Sequence, residues 1–70
     1  MVRHHQNRQA DRVGHLFAIA TALLEDAQSI ATAGQNPRLT PAQQKNLQRR
    51  LLRAIERCRL ASERIATAGD

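Results

Sequence analysis

GQNPRLTPAQQ, residues 34–44, holds both prolines of the chain and separates two stretches of helical pattern. Gly-x-Asn-Pro at its start is a turn signal. Thr40-Pro41-Ala42-Gln43 is a helix start. The Thr40 hydroxyl is placed to cap the helix by accepting from the amide of Gln43. Pro41 falls at the first helical position, where a missing N–H costs nothing. Gln43 can reach back to the amide of Thr40 and complete a capping box. A second helix is therefore predicted over about 41–68, after a turn at 34–40.

The same stretch suggests how the first helix ends. Gly34 is expected to adopt the left-handed conformation that closes the last carbonyls, and Gly69 to do the same for the second helix. This explains why Ile-Ala-Thr-Ala-Gly is written twice, at 30–34 and at 65–69: two helices stop in the same way. The first helix is predicted over about 11–33. Asn7 or Asp11 is a candidate cap, and Gly14 weakens the early turns by roughly 1 kcal/mol relative to alanine. Residues 1–10 are read as a loose N-terminal segment, with order setting in near Arg8 or Asp11.

Two helices joined by so short a link form an antiparallel hairpin. Folding the chain about residue 37 sets Ala27 near Leu47, Leu24 near Leu51, Ala20 near Ala54, Phe17 near Cys58 and Val13 near Ala61. Large residues then face small ones. Glu25 and Asp26 come near Arg49 and Lys45 in this register, as surface pairs worth about 0–1 kcal/mol.

Val13, Leu16, Ala20, Leu23, Ala27 and Ile30 form the apolar seam of the first helix, with Phe17, Leu24 and Ala31 on one flank and Ile19 on the other. The arc covers roughly 160°, where a helix with one apolar neighbour needs about 100°. Leu47, Leu51, Ala54, Cys58, Ala61, Ile65 and Ala68 repeat the seam on the second helix, with Leu52, Ile55 and Leu60 beside or outside it. A hairpin gives each helix one neighbour, so both carry surplus apolar surface. The expected fold is all-α: a helical hairpin that dimerises into a four-helix bundle. Its core and dimer seam would be Val13, Leu16, Phe17, Leu23, Leu24, Ile30, Leu47, Leu51, Leu52, Ile55, Cys58 and Ile65.

Composition narrows the function. Seventy residues make one domain at most, and the lone cysteine, Cys58, forbids an internal disulfide. That leaves a partner as the means of stability, and the cytoplasm as the expected compartment. No apolar run approaches the ~20 residues of a membrane span. Phe17 is the only aromatic residue, so base stacking and aromatic cages are excluded as recognition devices. There is no phosphate loop, no nucleophile elbow and no cleft with paired carboxylates, and no enzyme, cofactor or small-molecule substrate is expected. His4, His5, His15 and Cys58 fall short of a zinc ligand set, and no metal is expected.

The net charge is +5, with ten arginines against one lysine, the usage of a GC-rich bacterium or its phage. Arg49, Arg53, Arg57 and Arg64 share one arc beside the second helix's seam, with Arg50 at its edge and Leu60 within it. This is the candidate partner-binding stripe. A small regulatory or adaptor module that grips an acidic protein is the favoured function. An RNA- or DNA-binding regulator using the same stripe is the alternative.

Overall fold

A computed structural model describes the backbone of residues 8–68 and the side chains of residues 11–68. Two helices account for nearly all of it: α1, Arg8–Ala33, and α2, Pro41–Ala68. They pack against each other as an antiparallel hairpin. Asp11 lies in the first turn of α1, where a negative charge complements the helix dipole. Asn7 and Gly69, the other candidate terminal residues, lie outside the described residues.

The capping box is present in full. The amide of Gln43 donates to Thr40 Oγ1 at 3.1 Å, and the amide of Thr40 donates to Gln43 Oε1 at 2.9 Å. The Thr40 carbonyl accepts the first helical bond from Gln44 at 2.9 Å. Thr40→Ala should therefore destabilise the hairpin by about 1 kcal/mol. Urea denaturation followed by circular dichroism checks this, and Thr40→Ser should recover most of the loss.

The end of α1 departs from expectation. No glycine among the described residues has a positive φ, so Gly34 is not a left-handed cap. Its amide instead continues the helical ladder to Ile30, at 3.0 Å. Gln35 and Asn36 then donate to Thr32 and Ala33, at 3.1 and 3.3 Å. These three-residue turns satisfy the terminal carbonyls without a reversal of φ. The Asn36 side chain accepts from the amide of Arg38 at 3.0 Å and steers the chain toward α2. A Cβ at position 34 would lie 3.3 Å from the Ala31 carbonyl oxygen, a tight contact.

The residues of α1 and α2 that line common hollows are offset by about one turn from the pairing that a fold about residue 37 implies. Ile30 lines one hollow with Leu47 and Leu51 and a second with Ala54. A fold about residue 37 places Ala27 and Leu24 opposite Leu47 and Leu51 instead. Asp26 correspondingly lies by Arg50, Arg53 and Arg57, not by Lys45 and Arg49. Neither Glu25 nor Asp26 makes an ion pair among the described residues, where the ion pairs join Arg59 to Glu56 and Glu63.

The seam positions of both helices do face inward. Val13, Leu16, Ala20, Leu23 and Ala27 are half-buried, as are Leu47, Leu51, Cys58, Ile65 and Ala68. Only Ile30, Ala54 and Ala61 are buried among the described residues, Ala54 most deeply at 2% exposure. Alanines at the crossing let the two backbones approach closely. The outcome is a slab of Cα dimensions 58 × 20 × 10 Å, one helix thick. Its accessible surface is 5992 Å², against roughly 4,400 Å² for a compact protein of the same mass.

Candidate partner-binding faces

A slab has two broad faces, and these differ in chemistry. Ile19 on α1 meets Arg57, Leu60 and Arg64 on α2 around one open hollow. Asp26, Arg50, Arg53 and Arg57 line a second hollow next to it. These residues therefore share one face. At 100° per residue, Phe17 and Leu24 lie on the opposite flank of α1 from Ile19 and Asp26, and Ile55 lies on the opposite flank of α2 from Arg57 and Arg64. They must share the other face.

That second face carries no charge along its middle. On α1 it presents Phe17, Thr21, Leu24, Gln28 and Ala31, and on α2 Gln44, Gln48, Leu51, Ile55, Ser62 and Ala66. Phe17, Leu24 and Ile55 are 56%, 60% and 52% exposed. Leu52, more exposed still, sits at its outer rim. The Thr21 hydroxyl already donates to the Phe17 carbonyl, at 2.9 Å. It can be covered without leaving a donor unpaired.

Arg59 borders this face and is neutralised within its own helix. Its Nε donates to Glu56 Oε1 at 3.1 Å, and a second guanidinium nitrogen pairs with Glu63. The hydrogen bond and the charge of Arg59 hold the Glu56 carboxyl below its ordinary pKa. The same bond raises that of Arg59.

The arginine face is the reverse. Arg49, Arg50, Arg53, Arg57 and Arg64 are exposed, and among the described residues none forms an ion pair. Among the described residues, Asp26 is the one carboxylate lining their hollows. Leu60, 47% exposed, lies among them. No family model matches the chain, and neither a curated protein nor a solved structure matches it.

Of the residues assigned to the seam from sequence, Phe17, Leu24, Leu52 and Ile55 are exposed in the single hairpin. Val13, Leu16, Leu23, Ile30, Leu47, Leu51, Cys58 and Ile65 line its interior. Cys58 is a free, half-buried thiol. Among the described residues no group of three His, Cys, Asp or Glu side chains is placed to hold a metal ion. No helix there is long and apolar enough to cross a membrane. The role of Ile19 was missed at the sequence level. It appears once the pairing is known, because only the pairing shows which flank of α1 lies beside the arginines.

Proposed function

We propose that this chain is a non-catalytic regulatory or adaptor module of the cytoplasm that works as a homodimer and grips an acidic protein. Two copies meet through the uncharged faces of Phe17, Leu24 and Ile55, giving a four-helix bundle. The arginine faces are left outermost, where they hold the partner. The segregation of charge carries this reading. An uncharged apolar face can meet its own copy without electrostatic cost, whereas a face rich in arginines repels itself.

Surface area supports the dimer. A standard interface removes about 800 Å² from each partner. The chain's surface exceeds that of a compact protein of its mass by more than this. The acidic-protein reading draws on Leu60, which gives the arginine stripe an apolar centre of the kind that protein interfaces use.

The same stripe suits the phosphates of RNA or DNA, and a salt titration separates the two. Steep loss of oligonucleotide affinity between about 50 and 200 mM salt, abolished in Arg53→Ala with Arg57→Ala, would replace the protein partner with a nucleic acid. The expected result is weak retention on RNA and DNA even at low salt, measured by fluorescence anisotropy.

A further inference from the structure

The arginine face is not uniformly polar. Leu16, Ile19 and Leu23 of α1 and Leu60 and Ala61 of α2 form the floor of a hollow of about 210 Å³, with Arg57 and Arg64 completing its lining. This is smaller than the roughly 300–1,000 Å³ of pockets that enclose small molecules. It fits a single branched or aromatic side chain. Arg57 and Arg64 are two helical turns apart, about 10.5 Å along α2. Among the described residues, neither forms an ion pair with a carboxylate.

An apolar floor between two cations at that separation has a specific complement. On a helix, carboxylates at positions i and i+7 are also about 10.5 Å apart, with position i+3 on the same side between them. We propose that this hollow receives an apolar side chain at i+3 of an acidic amphipathic helix, whose flanking carboxylates pair with Arg57 and Arg64. The inference rests on the acidic-protein reading above and names the form of the partner. A phosphate backbone would satisfy the guanidinium groups but would cover Ile19 and Leu60 with charge, forfeiting their burial. The neighbouring hollow is a poorer anchor for an acidic chain, because Asp26 stands among its arginines.

The probe is a fluorescein-labelled synthetic peptide of repeated Glu-Ala-Ala-Leu-Ala-Ala-Gln, compared with one in which each Leu is Ala. The charge and spacing of the two are identical. The leucine peptide should bind wild-type protein about tenfold more tightly, as expected for burying one side chain. Ile19→Ser with Leu60→Ser should erase that difference while sedimentation shows an unchanged oligomer, because both residues lie on the face away from Phe17 and Leu24.

Equal affinity for the two peptides, lost in Arg57→Gln with Arg64→Gln, would overturn the hollow as an anchor and leave the broader basic-stripe reading standing. Binding of neither peptide would overturn both. Tighter binding of duplex RNA or DNA than of either peptide would overturn the helical partner in favour of a nucleic acid. The two peptides are compared on the same wild-type protein, so the result does not depend on any variant folding.

Discussion

Leu24→Glu with Ile55→Glu should convert a dimer into single chains in sedimentation equilibrium, with loss of much of the helical circular dichroism. The reasoning starts from the thinness of the fold. Among the described residues the hairpin buries one large side chain, Ile30, and two alanines, while Phe17, Leu24 and Ile55 lie open on an uncharged face. Burying a leucine or phenylalanine completely is worth about 1.5–3 kcal/mol. Two copies contribute these residues twice over. The sum must exceed the 4–15 kcal/mol or more that association costs in lost freedom. A glutamate at either position enters a dry interface unpaired, at a cost of several kcal/mol, and two-fold symmetry doubles it.

Two observations keep the test decisive if the variant unfolds. The thermal midpoint of the wild-type protein should rise with protein concentration, as it does for any fold that is stabilised by self-association. Leu52→Glu, placed at the outer rim of the face, should weaken the dimer far less than the double variant. A wild-type protein that is monomeric, fully helical and indifferent to concentration would overturn the dimer. The uncharged face would then need a different occupant.

The hairpin itself was legible because its signals are local. Thr40, Pro41 and Gln43 specify a helix start whichever partner the helix finds, and both predicted hydrogen bonds of that cap are present. The seam was legible because one period governs every position from Val13 to Ile30 and from Leu47 to Ala68. The errors arose where geometry accumulates across the link. Gly34 reads as a left-handed stop in isolation, yet successive turns at Gly34, Gln35 and Asn36 carry α1 on, and the residues that share hollows are offset by about one turn. That shift moves Asp26 from Lys45 and Arg49 to Arg50, Arg53 and Arg57.

The candidate site was legible only in half. The arginine stripe lies on one helix, so periodicity finds it. Whether Ile19 or Phe17 stands beside that stripe depends on the relation between the helices. Helical periodicity fixes each rod's flanks, and an antiparallel pairing decides which flank meets which. Only with the pairing in hand does the surplus apolar surface divide into an uncharged face for Phe17, Leu24 and Ile55 and a small apolar hollow at Ile19 and Leu60.

Ile30→Ala should be the most damaging single truncation within the hairpin, lowering stability by about 2–5 kcal/mol. Ile30 is 6% exposed and is the only large buried side chain among the described residues. It sits at the closed end of the hairpin and lines hollows with Leu47, Leu51 and Ala54. Its carbonyl also accepts the amide of Gly34, so it lies where α1 hands over to the link. At about 0.05–0.15 kcal/mol per residue, a chain of this length holds only about 3.5–10 kcal/mol in total. Ile30→Ala should therefore remove a large share of that total, whereas Ile30→Val, at a cost of about 0.5–1.5 kcal/mol, should remove much less. Leu23→Ala provides the comparison, because Leu23 is only half-buried and opens toward the hollow beside Leu60. Thermal and urea denaturation should rank Ile30→Ala as the costlier change. If Leu23→Ala cost as much, the stabilising core would extend beyond the closed end of the hairpin, and the outer face at Ile19 and Leu60 would be serving the fold and not a partner.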